Sequence, residues 1–119
     1  MMKLIKSFTY AWAGIKDCFK TESNFRFHLI AAITAIIFAL LLKISAPEWI
    51  AICFCVAFVI AMEMVNTAIE KLCDVVHTEP HRVIKTVKDI TAGAVLISAI
   101  FSLITAAVIF LPKIITYFK

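Results

Sequence analysis

Glycine and proline are scarce in this chain, two and three residues out of 119, and 63% of the residues are hydrophobic. That composition lies far outside the range of soluble globular domains and reads as a membrane protein of one domain, residues 1–119. Glycine-rich motifs are missing: there is no Walker A loop, no glycine-rich kinase loop and no GxSxG elbow. The common signatures of nucleotide binding and hydrolysis are thereby excluded, and any nucleotide site must be built differently. The N-terminus lacks a basic lead followed by an apolar block, since MMKLIKSFTYAWAGIKDCFK spreads its four lysines through apolar residues. No cleavable signal peptide is expected, and the N-terminus is expected to stay on the protein. Cysteine is present only as Cys18, Cys53, Cys55 and Cys73, in or beside helical, lipid-adjacent segments. Small packing residues facing a reducing cytoplasm account for them better than a disulfide framework does.

What the chain does have is length without charge. ITAGAVLISAIFSLITAAVIFL, residues 90–111, carries no charge at all, and Leu29 to Ala46 carries only Lys43, whose stem can snorkel to the interface. WIAICFCVAFVIAM, residues 49–62, begins a third apolar segment with a helical continuation toward Val76. About 20 apolar residues cross a bilayer, so the expected spans are about 28–46, 49–76 and 89–111. SAPEW supplies the turn between the first two, with Pro47 ending one helix or opening the next, and HTEPHRVIKTVKD reads as a polar connector broken at Pro80. No segment is repeated or of low complexity.

Before the first span, Leu4, Phe8, Trp12, Ile15 and Phe19 recur at helical spacing while Lys3, Lys6, Lys16 and Lys20 fall largely off that stripe. This predicts an amphipathic helix, about 3–25, lying on a membrane surface or against the side of a bundle. Lys3, Lys6, Lys16, Lys20 and Arg26 precede the first span, and Lys71, Arg82, Lys85 and Lys88 surround the second connector; the other side has Lys43, Lys113 and Lys119. The positive-inside rule then puts the N-terminus and the second connector in the cytoplasm and the C-terminus outside. The second span runs inward and delivers EMVNTAIEKLCD to the cytoplasmic interface.

Glu63, Asn66, Glu70 and Asp74 are spaced by three, four and four, which confines them to an arc of about 80° on one helix face. An unpaired charge at the depth of Glu63 costs at least ~2.5 kcal/mol, so these groups must face protein or water and be paired. Carboxylates and an amide oxygen are hard ligands suited to magnesium. Three readings stay open on the residues alone: polar glue between helices of an oligomer, an ion or proton pathway using Glu63 and Glu70, and phosphoryl transfer at the interface. Arg82, Lys85 and Lys88 recur every three residues beside that face. They could neutralise a polyphosphate, although positive-inside retention explains the stripe about as well. His77 and His81 have metal-pair spacing, but Pro80 interrupts the turn and argues against a soft-metal site; His28 reads as an interfacial or packing residue.

EMVNTAIEKLCD, followed after the connector by VKDITAGAVL, closely resembles the prokaryotic diacylglycerol kinase family of small integral-membrane lipid kinases, which includes undecaprenol kinases. The resemblance extends over essentially the whole chain, because SFTYAWAGIKDCFKTESNFRFHL looks like the family's surface helix and the lead-in to its first span. It implies an all-α membrane protein: a homotrimer of three-span subunits, each with an N-terminal amphipathic surface helix. Its implied activity is phosphorylation of a lipid hydroxyl with Mg2+ and ATP in the inner (cytoplasmic) membrane, with no nucleic-acid partner. By the same resemblance Glu63 is the catalytic base, Asn66 supports the catalytic cluster, and Glu22 and Glu70 are the metal-binding carboxylates that also meet the nucleotide. Lys88 with Asp89 forms the phosphate-side pair, Lys88 counting among the catalytic residues, and Tyr10, Asp74, Glu79 and His81 fall at positions of nucleotide contact. Where diacylglycerol-type members carry a serine after the tyrosine and a second glutamate beyond the arginine, this chain has Ala11 and His28, and FRFHL looks more like the undecaprenol-kinase branch. The expected acceptor is undecaprenol; the alternative is diacylglycerol, giving phosphatidic acid.

Overall fold

A computed structural model describes residues 2–77 and 79–119. The described residues form four α-helices and no strand: α1 (Met2–Thr21), α2 (Ser23–Leu41), α3 (Ala46–Val76) and α4 (Arg82–Tyr117). The last three are long and apolar enough to cross a membrane. At 1.5 Å per residue α2 is ~28 Å long, close to the thickness of the hydrocarbon core, whereas α3 and α4 reach ~46 and ~54 Å. They extend past the apolar layer and carry the acidic face and the basic stripe with them.

The surface helix stops at Thr21, short of the expected end near residue 25, because the chain turns extended at Glu22 (φ −115°, ψ 110°) before α2 starts. Arg26 makes the break tolerable: its Nη1 donates to the carbonyls of Phe19 (2.7 Å) and Lys20 (3.2 Å), two acceptors left over at the end of α1. Lys71 of α3 pairs with Asp17 of α1, so a second contact holds the surface helix to the bundle. Cys18 is the one buried residue of α1, and burial pushes its thiol pKa up, which suits a packing role. Such exposed charge-assisted bonds contribute on the order of 1 kcal/mol. Arg26→Ala is therefore expected to speed amide exchange or protease nicking around residues 19–22 while leaving overall helix content unchanged; unaltered exchange there would show that the guanidinium does not hold the junction.

At the other end, α2 stops at Leu41, earlier than the hydropathy suggests, because Lys43 adopts a left-handed conformation (φ 52°) and the Ile44 N–H bonds back to the Ala39 carbonyl. Ser45 then caps α3 reciprocally with Glu48, and Pro47 sits in the first turn where its missing N–H costs nothing. Ala39, Ile44, Ile52, Ile109 and Phe110 form a small core beneath this turn, with Trp49 packed against it. The connector differs most from expectation. After Pro80 nothing breaks the helix, and His81 caps it by accepting from the Val83 N–H, so α4 begins at Arg82 and runs on through Pro112. All four cysteines are free. The outward faces remain strongly apolar, with Phe54 71% and Leu103 72% exposed in the single chain, as lipid- or protein-facing surfaces are.

Candidate active site at the polar end of the bundle

Glu63 is 2% exposed, and Asn66, Thr67 and Ser98 are buried as well. Its depth is fixed by α2: His28, five residues beyond the start of that helix, places Nε2 3.9 Å from Glu63 Oε2. At ~1.5 Å per residue the carboxylate therefore lies ~8 Å along the bundle from the α2 start. One turn on, Asn66 Nδ2 donates to Glu70 Oε1 (3.4 Å). Asn66 Oδ1 and Thr67 Oγ1 are buried without a hydrogen-bond partner among the described residues. Thr67 is unusual in this, since Thr9, Thr34, Thr86, Thr105 and Thr116 all donate to the carbonyl four residues back. A buried unpaired polar atom typically costs ~1–3 kcal/mol and persists where something else uses it.

Glu70 lies two turns beyond Glu63 on the same face of α3. Glu22 stands at the N-cap of α2, yet its side chain makes no capping bond and its carboxylate stays available. Beyond Glu70 the face becomes ionic, where Lys88 Nζ donates to Asp74 Oδ1 (2.6 Å) and ties the end of α3 to the start of α4. Asp89 is not its partner: one residue further round α4, it accepts from Lys85 (2.8 Å) on the exposed side. Lys88 and Asp89, the two residues expected on the phosphate side, thus enter separate ion pairs, because neighbouring positions on a helix point about 100° apart. An open pocket of about 500 Å³ is lined in part by Asp74, His77, Glu79, His81, Arg82 and Lys88.

The structure lines up buried Glu63 and Asn66 with half-buried Glu70 on one face of α3, sets half-buried Glu22 at the start of α2, and gathers Asp74, Glu79, His81 and Lys88 around the open pocket. It leaves out Asp89, and Tyr10 is 71% exposed on α1. His77 and His81 stand ring to ring at 5.0 Å, but each spends Nδ1 on main chain, His77 at Glu79 O and His81 at Val83 N. Among the described residues no group of three or more His, Cys, Asp and Glu is placed to hold a metal ion. A hard cation that takes one or two carboxylates and fills its shell from water and phosphate is compatible with Glu22, Glu70 and the unpartnered Asn66 Oδ1. The approach of His28 to Glu63 has no sequence signature, since His28 stands on a separate helix with no periodic relation to Glu63.

A second cavity, about 360 Å³, lies among α2, α3 and α4 and is lined almost wholly by apolar residues including Ala32, Ala35, Ile52, Val59 and Ala106, with His28 also on its wall. Val59 and Ile60 of that wall are the residues one turn before Glu63. The acidic centre accordingly lies between an apolar cavity in the bundle and a charged pocket at its end.

A helical bundle so arranged defines an integral-membrane protein with a polar centre toward one end of its apolar helices. The sequence profile described as prokaryotic diacylglycerol kinase matches residues 9–110. An undecaprenol kinase of Bacillus subtilis is 38% identical over 112 residues, 94% of this chain and 91% of that one. A diacylglycerol kinase of Synechocystis is 36% identical over 114 residues, 95% of this chain and 65% of the relative. A diacylglycerol kinase of Escherichia coli is 31% identical over 103 residues, 87% and 84% of the two chains. The chain belongs to the prokaryotic diacylglycerol kinase family. It is a multi-pass membrane lipid kinase.

Proposed function

We propose that this protein transfers the γ-phosphate of Mg-ATP to the hydroxyl of a membrane lipid at the cytoplasmic face of the cytoplasmic membrane, with undecaprenol preferred over diacylglycerol. The observation that carries the reading is the position of Glu63, buried between the apolar cavity and the charged pocket. A long-chain alcohol reaching the centre from the membrane and a polyphosphate reaching it from water would meet there. The acceptor oxygen attacks the γ-phosphorus, an O–P bond forms, the bond from phosphorus to the β,γ-bridging oxygen breaks, and ADP departs. The hydroxyl proton passes to the Glu63 carboxylate. Asn66 Nδ2, donating to Glu70 Oε1, keeps the Glu70 carboxylate in place. Lys88, held ready by Asp74, compensates phosphate charge. Magnesium, where bound, would be held by Glu22 and Glu70 and would neutralise charge on the transferring phosphate.

The undecaprenol preference is supported by Ala11 and His28 in their sequence contexts and by the 38% identity to the Bacillus undecaprenol kinase. A homotrimer is supported by the large apolar faces that a single chain leaves uncovered. The basic residues around α1 and the start of α4 support a cytoplasmic position for the site. The test of acceptor preference is the ratio of kcat/KM for undecaprenol and diacylglycerol measured in parallel. A ratio above about 10, some 1.4 kcal/mol of transition-state discrimination, is expected; a ratio below one would transfer the assignment to diacylglycerol.

A further inference from the structure

The Glu63 carboxylate makes no hydrogen bond among the described residues, and the group within ion-pair distance of it is the His28 imidazole. His28 is also on the wall of the apolar cavity, where its neighbours are chiefly alanines and branched aliphatics. Its side chain is 17% exposed against 3% for that of Glu63. Phe27 holds the imidazole edge to face, with ring centroids 5.7 Å apart. At 3.9 Å the Nε2 to Oε2 approach is about 1 Å longer than a hydrogen bond, within what catalytic contacts close when a substrate complex forms.

The geometry points to His28 as a positioning residue of the reaction: once the 3.9 Å gap closes in the substrate complex, its Nε2–H donates to the buried Glu63 carboxylate and aims it toward the end of the apolar cavity, where the acceptor hydroxyl arrives. This inference rests on the lipid-kinase reading. A carboxylate without hydrogen bonds has no fixed orientation, whereas one held by a single directional donor presents its other lone pairs reproducibly to a proton. Among the described residues, α2 supplies the group within ion-pair distance of that carboxylate.

The test compares wild type, His28→Ala and His28→Gln in mixed micelles with undecaprenol and Mg-ATP, Gln being chosen because its amide nitrogen reaches the place of Nε2. His28→Ala is expected to lower kcat roughly 10- to 100-fold while the KM for ATP stays within about twofold, the split expected when a remote misplacement affects the chemical step alone. The thermal midpoint and oligomer size are expected to match wild type, and His28→Gln to recover most of the lost kcat. His28→Ala turnover close to wild type overturns the inference, as does a Gln variant no faster than the Ala variant. A fall in kcat matched by a collapse of the thermal midpoint in both variants also overturns it, and assigns His28 to packing. Wild-type protein that makes no lipid phosphate sinks the lipid-kinase reading itself; active wild type with an indifferent His28 sinks this inference alone.

Discussion

Glu63→Gln is expected to lower phosphate transfer by ~10²–10⁴-fold at saturating ATP and lipid, the range associated with removing a general base. The substitution preserves size and hydrogen-bonding shape and deletes the proton-accepting charge. Because Glu63 is almost wholly buried, a neutral amide there also avoids the penalty of burying an ion, so the folded protein is not expected to lose stability. Loss of turnover with unchanged oligomer size and thermal midpoint would separate chemistry from structure. Turnover at the wild-type rate would remove Glu63 as the base, and Glu70 would become the next carboxylate to examine on the same face.

The second large effect belongs to Glu70. Glu70→Gln keeps an oxygen able to accept from Asn66 Nδ2, so the local hydrogen bond survives and only the charge is lost. If that carboxylate holds the cation, the magnesium concentration giving half-maximal rate should rise roughly 10- to 100-fold. Direct titration of the protein with Mn2+, followed by its electron paramagnetic resonance signal without turnover, should show the same weakening. A normal magnesium titration together with normal Mn2+ binding would assign the cation to other groups. Glu22, with its carboxylate unused at the N-cap of α2, would be the first of those.

The acidic face and the apolar segments were legible in the sequence because both are local. A step of three and four places Glu63, Asn66 and Glu70 together on any α-helix, and a charge-free run such as residues 90–111 has few alternatives to a span. Contacts between helices were not legible in the same way. Neither the approach of His28 to Glu63 nor the bond from Lys71 to Asp17 follows from spacing, since both depend on how α1 and α2 are set against α3. Lys88 shows the limit most clearly: next to Asp89 in sequence, it is bonded to Asp74 across the helix pair, because Lys88 and Asp89 leave α4 in different directions.

Ser45-Ala-Pro-Glu48 is a capping box with proline in the first turn, and it starts α3 three residues before the hydropathy does. The early start of α4 could have been read from the absence of any breaker after Pro80. The arginine that satisfies the end of α1 could not, because a side chain reaching back six and seven residues across a helix break has no sequence signature. The same junction puts Glu22 on extended backbone rather than in a helix, where spacing alone would have aimed its carboxylate elsewhere.

The most direct measurement follows the terminal phosphate itself: purified protein in mixed micelles with undecaprenol, magnesium and ATP labelled at the γ-position, followed by extraction and chromatography of the lipid phase. The account predicts label in the lipid phase, migrating as the monophosphate of the added alcohol and absent when Glu63→Gln replaces the wild type. Label that stays in ATP or appears only as inorganic phosphate, from protein shown to be folded, would contradict it.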